Sequence, residues 1–226
     1  MRSYGQYCPV AKASELLGDR WTLLIVRELL FGPLRFTMVE RGLPGISRSV
    51  LASRLKRLRR DGIAETHADG AYRLTEAGEA LRPVVLALGD WVARWVMADP
   101  TPAELDPELL ALFISRSVDR EALPDRRTVL EFQFISDPPR RIWMTLERHD
   151  VSVCLEDPLL PIELVIRCAV SDLFRVYMGR ASLYDGLRDG RIELVGLPAT
   201  VRAFHTWMKW SSFAAASRQA MQRQSQ

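Results

Sequence analysis

The short segment 47–60 concentrates six basic side chains with no acidic residue between them. They are Arg48, Arg54, Lys56, Arg57, Arg59 and Arg60. In the same segment Leu51, Leu55 and Leu58 step by four and then by three, which places them on one face of a helix. Ser47 precedes this helix as a natural N-cap, because its hydroxyl can accept a hydrogen bond from a free amide of the first turn. The segment therefore predicts an amphipathic helix with a cationic face.

The outer face of this predicted helix has the composition of a surface that reads DNA. Ser49, Ser53, Lys56 and Arg60 lie opposite the leucines, and Arg48 lies near the amino end. Arginine and lysine neutralise phosphates and reach guanine edges, while small serine side chains let the backbone approach the groove. The alternative is a solvated surface helix, which a run of charges alone indicates equally well.

The composition describes a folded chain whose basic excess lies in its first half. Residues 1–98 carry 15 basic and 10 acidic side chains, a net charge of +5, whereas residues 99–226 carry 16 and 18, a net charge of −2. A polyanionic partner is therefore expected to bind the first half. No apolar run is long enough to span a membrane, and the first residues lack the apolar centre of a signal peptide. The three cysteines, Cys8, Cys154 and Cys168, are widely spaced and fit a reducing compartment, so a cytoplasmic location is predicted.

A proline-rich stretch, 99–107, divides the chain, because its three prolines favour an extended linker over a helix. The pattern before it is mostly helical, and the pattern after it alternates with period two between helical segments. We therefore predict an α+β protein with a first domain over 1–98 and a mixed α/β domain over 108–216. The polar residues 217–226 are predicted to form a frayed tail.

Three helices are predicted ahead of the basic one. They are 9–17, closed by Gly18; 20–30, capped by Asp19; and 36–41, stopped by Gly42. A helix, a short turn and a second helix, with the cationic helix last, is the order of a helix-turn-helix.

A hairpin is predicted directly after the basic helix. Its strands lie over 62–67 and 71–75 and are joined at Asp69-Gly70, a pair that tolerates the positive φ of a tight turn. A hairpin in this place is a wing, from which Arg73 and His67 could touch the DNA backbone or the minor groove.

A last helix is predicted from Thr75 to Val96, and it carries a wide apolar stripe. The stripe consists of Leu81, Val85, Leu88, Trp91, Val92 and Trp95. We expect it to be buried, either within the chain or against a second subunit.

Residues 8–95 resemble the HxlR-type winged-helix regulators, a branch of the MarR-like transcription factors. The matching motifs are CPVAKASELLGDRWTLLIVRELLFGPLRF, LPGISRSVLASRLKRLRRDGI and YRLTEAGEALRPVVLALGDW. The resemblance implies a homodimer that binds a pseudo-palindromic operator and is joined through its first and last helices. The stretch between Ile63 and Leu74 is shorter than the usual wing, which is a departure at the minor-groove contact.

The resemblance also implies which residues meet DNA. Ser47, Arg48 and Ser49 fall at the start of the recognition helix, where the family meets base edges. Arg54 matches an arginine-leucine pair of the family and either contacts DNA or buttresses the helix, and Arg35 is placed for a phosphate contact. The predicted DNA-binding set is Arg35, Ser47, Arg48, Ser49, Ser53, Arg54, Lys56 and Arg73. Arg57 and Arg59 are expected on the solvated surface of the helix.

Cys8 matches a cysteine that is a redox sensor in some members of this family. Sensing requires an exposed thiolate, and Cys8 opens a helix whose dipole would favour the charged form. The alternative is a small thiol packed at a dimer interface.

The second half predicts a three-strand antiparallel meander, two further strands and three helices. The strands are 128–135, 141–147, 151–155, 163–168 and 191–195, and the helices are 171–178, 182–187 and 198–207.

This order resembles the sterol-carrier-protein-like domain found behind some bacterial regulators, over about residues 106–214. The motifs that carry the resemblance are VSVCLEDP, VYMGRASLYDGLRDGRIELVG and RAFHTWMKWSSFA. In that family about five strands, with helices on one face, enclose an apolar tunnel for hydrophobic molecules. The candidate lining residues are Phe113, Phe132, Phe134, Trp143, Phe174, Met178, Phe204 and Trp207. The alternative is that they fill a core, because packing and a pocket use the same residue types.

No arrangement of residues indicates catalysis, a cofactor or a metal. The histidines His67, His149 and His205 are scattered, without cysteine or carboxylate at ligand spacing. The sequence contains no GxSxG, no glycine-rich phosphate loop and no HExxH.

The prediction is a non-enzymatic, dimeric transcriptional regulator. Its expected partners are an operator duplex, a second copy of the chain and a small hydrophobic effector, with no membrane. Two alternatives stay open. One is a hydrophobic-ligand carrier that uses the winged helix only for dimerisation or protein contact, and the other is an enzyme acting on a lipid-like substrate in the second domain.

Overall fold

The computed structural model describes residues 3–136 and 138–224. The chain forms two compact units, Met1–Leu88 and Gly89–Gln226. The division between them falls inside a helix, ahead of the proline-rich segment 99–107.

The first unit contains the predicted helices and hairpin. Its elements are α1 (Pro9–Leu17), α2 (Thr22–Leu29), α3 (Phe36–Arg41), α4 (Arg48–Arg60), β1 (Ala64–Thr66), β2 (Tyr72–Leu74) and α5 (Glu76–Glu79), followed by α6 (Arg82–Trp95), which continues into the second unit. The predicted ends of α1 and α3 are confirmed. The Ser47 hydroxyl accepts a hydrogen bond from the Val50 amide at 3.3 Å, so the predicted N-cap of α4 is confirmed as well.

Leu51, Leu55 and Leu58 of α4 are buried in the core of the first unit, as their spacing predicted. They pack with Ile25, Val26 and Leu29 of α2, among others. The apolar seam of α4 is thus fully used for packing, and its other faces are left for the surface.

The prediction that Asp19 caps α2 is wrong. The helix begins at Thr22, and its N-cap is Trp21 in the left-handed region at φ 79°, without a side-chain cap. The Asp19 carbonyl accepts a hydrogen bond from the Thr22 amide at 3.1 Å, while its carboxylate binds elsewhere, as described below.

The predicted single helix from Thr75 to Val96 is wrong, because it breaks at Ala80 and Leu81 into α5 and α6. Pro83 gives the physical reason. A proline has no amide to donate to the carbonyl four residues earlier, and its ring would clash there. The same residue is well tolerated in the first turn of α6, where that amide would be free in any case.

The wing is an antiparallel pair in which Ala64 faces Leu74 and Glu65 faces Arg73. Gly70 takes φ 82° in the connecting turn, as the Asp-Gly pair predicted. Leu34, in the turn between α2 and α3, exchanges hydrogen bonds of 2.9 and 2.8 Å with Tyr72. This bridge fixes the wing to the loop that precedes the helix-turn-helix.

The second unit contains a five-stranded mixed sheet. Its elements are α7 (Pro107–Arg116), β3 (Thr128–Phe134), β4 (Arg140–Leu146), β5 (Val151–Cys154), β6 (Leu164–Cys168), α8 (Val170–Tyr177), α9 (Leu183–Arg188), β7 (Ile192–Gly196), α10 (Pro198–Trp207) and α11 (Ala214–Gln224). The strand order is β5-β4-β3-β6-β7, with β3 and β6 parallel and all other neighbours antiparallel. The predicted meander β3-β4-β5 is confirmed.

One face of this sheet forms a core with α7, α8 and α10. Leu130, Phe132 and Phe134 alternate on that face of the central strand, and Phe132 and Phe134 stack with ring centroids 6.0 Å apart.

Two elements of the second unit differ from the sequence-based prediction. Helix α7 was not predicted, because Pro107 indicates a linker, whereas the structure uses it in the first turn behind an Asp106 N-cap. Residues 217–224 of the tail predicted to fray instead belong to α11, because the first turn of this helix buries Ala216 and Ser217. Residues 225 and 226 of the predicted tail lie outside the described residues.

Candidate nucleic-acid interface

The outer face of α4 is exposed along most of its length. Ser47, Ser49, Ser53 and Lys56 lie on this surface, as the sequence predicted. Ser49, Val50, Ser53 and Arg54 line a shallow depression of about 170 Å³ between the side chains. A face of small hydroxyls with one lysine gives hydrogen-bonding groups and a positive charge without bulk, which lets a helix approach base edges.

Arg48 lies at the amino end of α4 and is 71% exposed. Its guanidinium lies over the ring of Phe36 at 5.5 Å and has Glu40 at 3.7 Å, both residues of α3. These contacts are long and lie at the surface, where ion pairs contribute little, so the side chain can turn toward a bound duplex.

Arg54 and Arg57 are held at the base of α4 by a single carboxylate. Asp19 forms an ion pair with Arg54 at 3.0 Å and a second, shorter one with Arg57. Arg57 also donates to the carbonyl of Glu15 at 2.8 Å and pairs with Asp61 at 3.3 Å. The expectation that Arg57 lies on the solvated surface is therefore wrong. Asp19 joins α4 to the turn between α1 and α2, and Arg54 buttresses this helix.

The wing presents its arginine and its histidine already bound to carboxylates. Arg73 binds Glu65 on the opposite strand at 2.7 Å, and His67 contacts Asp69 at 3.1 Å. The backbone amide of Ala71 and the His67 ring lower the pKa of Asp69, and the charge of Arg35 adds to this effect. Arg35 itself is exposed at the N-cap of α3. The wing therefore brings less free positive charge than its residue types indicate.

A partly buried ion pair sets the turn that precedes α4, and sequence reasoning missed it. Glu28 is 0% exposed and accepts hydrogen bonds from Arg27 at 2.7 and 3.1 Å. Arg27 also donates to the carbonyl of Gly42 at 3.0 Å. Gly42 packs so closely on the Glu28 carboxylate that a side chain at position 42 would collide with it. The only sequence signal was Gly42 itself, which indicates a helix end just as well.

The apolar stripe of the last helix divides in two. Leu81 and Val85 pack on the core of the first unit, whereas Trp91 and Trp95 are 56% and 63% exposed, and Leu88 and Val92 are exposed with them. Val10 on α1 is exposed too, and so is Tyr7, which precedes this helix. For those four stripe residues, burial within the chain is therefore wrong, which leaves a second subunit as the predicted cover.

The eight residues predicted to line a tunnel lie in or beside the core of the second unit. Phe132, Phe134, Phe204 and Trp207 belong to that core, Trp143 and Met178 are also buried, and Phe113 and Phe174 are half-buried. A shallow concavity of about 510 Å³ lies beside β7. Its lining is Leu187, Gly190, Ile192, Glu193, Leu194 and Val201. None of the eight predicted residues lines this concavity.

The three cysteines lie in different environments. Cys8 is the half-buried N-cap of α1, Cys154 is half-buried at the end of β5, and Cys168 is fully buried. Burial, with a smaller contribution from the charge of Asp172, raises the pKa of Cys168 to about 12. Since the thiolate is the nucleophile, Cys168 has almost no reactive form near neutral pH.

Alkylation of the folded protein at pH 8 is therefore expected to spare Cys168. Iodoacetamide should label Cys8 and Cys154, and all three cysteines should react once the chain is unfolded in guanidinium chloride. Peptide mass spectrometry of both samples measures the occupancy of each site. Modification of Cys168 in the folded protein at a rate near that of Cys154 would contradict its buried position.

Within residues 3–136 and 138–224, no group of three or more His, Cys, Asp or Glu side chains is arranged to hold a metal ion. Among the same residues, no helix has both the length and the apolar character to cross a bilayer.

The pattern of the HxlR-like helix-turn-helix family matches residues 16–100 of the chain. The HTH-type transcriptional regulator YvaP of Bacillus subtilis is 40% identical over 103 residues, which are 42% of this chain and 94% of YvaP. The chain belongs to the HxlR family. A second B. subtilis regulator, YodB, is 36% identical to this HxlR protein over 43% of the chain and 93% of its own length. The solved structure of quinone-bound YodB covers 39% of this chain and 99% of YodB, with 39% identity and a TM-score of 0.37.

Membership of the HxlR family makes this protein a DNA-binding transcriptional regulator, since these relatives are HTH-type transcriptional regulators. It also agrees with the exposed outer face of α4. The matches to YvaP and YodB cover less than half of this protein's chain. The resemblance of residues 106–214 to sterol-carrier-like domains therefore stays a prediction.

Proposed function

We propose that this protein is a homodimeric regulator that reads a pseudo-palindromic operator with α4 and responds to a small hydrophobic effector bound by its second unit. The observation that carries the proposal is the division of α4 into three parts. The leucines are buried, two arginines are tied to Asp19, and the serines and Lys56 are exposed. A helix built in this way is held firmly while its outer face stays available to a major groove.

Within this proposal the basic residues have separate roles. Arg48, Ser49 and Ser53 meet base edges, and Lys56 and Arg35 neutralise phosphates. Arg54 supports the helix through Asp19 at 3.0 Å. Arg73 is paired with Glu65 and contributes less to binding than an unpaired arginine would.

The exposed apolar residues of α1 and α6 support a homodimer. An exposed row of tryptophans on a helix is unfavourable in water and is usually covered by a partner. Two copies related by a two-fold axis would present two recognition helices to half-sites about 34 Å apart.

A surface concavity of the second unit supports an effector role. It lies beside β7, its volume of about 510 Å³ is that of a small-molecule site, and its lining combines Leu187, Ile192, Leu194 and Val201 with Gly190 and Glu193. We propose an apolar effector there or among the neighbouring aromatic residues. It changes DNA affinity only if it binds the DNA-bound and free conformations with different affinity. The unit is not expected to turn a substrate over.

The proposal predicts strong and salt-sensitive binding to a selected duplex. The purified protein would first enrich duplexes from a random pool. The enriched duplexes would then be labelled, and their binding would be compared with that of scrambled duplexes by fluorescence anisotropy. The salt concentration would range from about 50 to about 300 mM, which includes physiological ionic strength. Affinity for the enriched duplex should exceed that for the scrambled one by roughly 1,000-fold or more. Log Kd should rise linearly with log salt, because neutralised phosphates release their counterions.

Weak and equal binding to both duplexes would leave the basic helix without sequence readout. The proposal would then fail, and the carrier hypothesis would take its place. A pool that enriches no sequence leads to the same conclusion.

A further inference from the structure

The second half of α6 belongs to the second unit, and an aromatic ring of that unit packs against Gly89. The Phe213 ring lies directly on Gly89, so closely that a β-carbon at position 89 would collide with it. A glycine in mid-helix is destabilising relative to alanine. At this position the missing side chain makes room for Phe213, which lies just before α11.

A second contact lies nearer the end of α6. The guanidinium of Arg223, on α11, lies over the ring of Trp95 at 4.5 Å from its centroid, a cation–π geometry. Phe213 directly precedes α11, and Arg223 lies in its last turn. This helix is therefore joined to α6 near both of its ends.

The third contact holds the chain just beyond α6. Asp99 accepts hydrogen bonds from Arg175 at 2.9 Å and from Arg180 at 2.7 Å. Arg180 also donates to the carbonyl of Met97 at 2.7 Å, and its side chain is only 11% exposed. Since Arg180 binds a carboxylate and a carbonyl two residues apart, it fixes both the position and the direction of the chain that leaves the helix.

These three contacts hold a helix that both units share. Val85, in the first half of α6, packs on the core of the first unit, and Gly89 and Trp95, in the second half, are held by the second. A helix of this length is stiff, because each turn is hydrogen-bonded to the next.

We infer that the second unit controls operator affinity by holding the carboxy-terminal half of α6, and that the Arg180–Asp99–Arg175 clamp is the contact on which this control depends. Releasing the clamp weakens operator binding, since the held half carries the exposed Trp91 and Trp95 that we assign to the subunit contact. The inference rests on the proposed operator binding by a dimer.

The test uses the full chain carrying Asp99→Asn, Arg180→Met or both. Arg180→Met keeps an unbranched apolar side chain and removes the guanidinium with its hydrogen bonds. The matched control is Arg188→Met, which removes an exposed arginine of the same unit paired only locally, with Asp185 and Asp189. Hydrogen exchange of the amides of Val96 and Met97, which donate to the Val92 carbonyl, reports on the end of α6. Anisotropy on the enriched duplex reports on DNA affinity.

In both single variants we expect faster exchange at Val96 and Met97 and a Kd for the operator raised roughly tenfold, within the usual range of coupling between sites. The operator Kd of the double variant should be no higher than the higher of the two single-variant values, because both substitutions remove the same clamp. The control should behave as the wild type.

Faster exchange with an unchanged Kd would overturn the inference, and so would unchanged exchange, since the clamp would then not hold the helix. A wild-type chain that does not prefer the enriched duplex overturns the proposed function itself and the coupling with it. Operator binding by the wild type therefore separates the two failures.

An independent pair of substitutions tests the contact at Gly89. Gly89→Ala should raise the operator Kd by displacing Phe213, even though alanine favours the helix itself. In a Phe213→Ala background the same substitution should have no further effect, because its β-carbon no longer meets a ring. An equal effect of Gly89→Ala in both backgrounds would contradict the role of this contact.

Discussion

Gly78→Ala is expected to lower the local stability of the winged helix by about 3 kcal/mol, at the upper end of the usual cost of overpacking. Gly78 is buried in α5, and a β-carbon there would overlap the backbone carbonyl of Ile63. That carbonyl is fixed, since it accepts a hydrogen bond from the Thr75 amide at 3.1 Å. Neither backbone can move without opening the junction between the wing and α5.

Native-state hydrogen exchange of the amides of α4 and β1 measures this effect within the first unit. A loss of about 3 kcal/mol corresponds to exchange faster by roughly 150-fold in the globally protected amides. The neighbouring substitution Ala77→Ser is the control, because Ala77 is exposed and a surface change there should stay within about 0.5 kcal/mol. Exchange in Gly78→Ala as slow as in this control would show that the close approach at Ile63 does not exist in solution.

Arg48→Ala is expected to weaken operator binding by about 1–3 kcal/mol, which is roughly 5- to 150-fold, if its guanidinium reads a base. The side chain is exposed at the amino end of α4, the end that enters the groove in helix-turn-helix proteins. It makes only surface contacts with Phe36 and Glu40, so stability should change little. Anisotropy on the enriched and scrambled duplexes, at equal salt, measures the loss of affinity and of discrimination.

Arg60→Ala supplies the matched control. Arg60 is similarly exposed and sits at the other end of the same helix, about 18 Å away at 1.5 Å per residue. Both variants lose one positive charge, so any difference between them comes from position and not from net charge. Equal, small losses on both duplexes for the two variants would assign Arg48 to nonspecific charge neutralisation and remove it from base reading.

Asp19 shows why the roles of the basic residues could not be derived from their spacing. Arg54 and Lys56 both belong to the cationic run, and the sequence placed both in the DNA-binding set while leaving open that Arg54 buttresses the helix. The structure ties Arg54 to Asp19 at 3.0 Å, a carboxylate far away in the chain, whereas Lys56 stays exposed. Helical periodicity places a residue on a face, but it does not say which distant carboxylate lies against that face.

The apolar stripe of the last helix gives the same lesson for burial. Its spacing predicted one buried face, yet Leu81 and Val85 are packed and Trp91 and Trp95 are exposed. The helix break before Pro83 has a local cause, so the sequence alone contained the signal for it. The contact between the Phe213 ring and Gly89 could not be predicted from the sequence, because it joins α6 to a distant segment of the chain.

The sequence by itself determined the features that depend on neighbours along the chain. These are the limits of α1 and α3, the Ser47 cap and leucine face of α4, the turn at Gly70 and the meander β3-β4-β5. Each follows from propensities and periodicities within a few residues, so local physics suffices. Only the tertiary structure decided which charges are held and which are free, because these pairings join distant segments. They are Asp19 with Arg54 and Arg57, Arg27 with the Gly42 carbonyl beside Glu28, and Asp99 with Arg175 and Arg180. A charge takes its partner from whatever the fold brings within a few ångströms, and no local pattern records that partner.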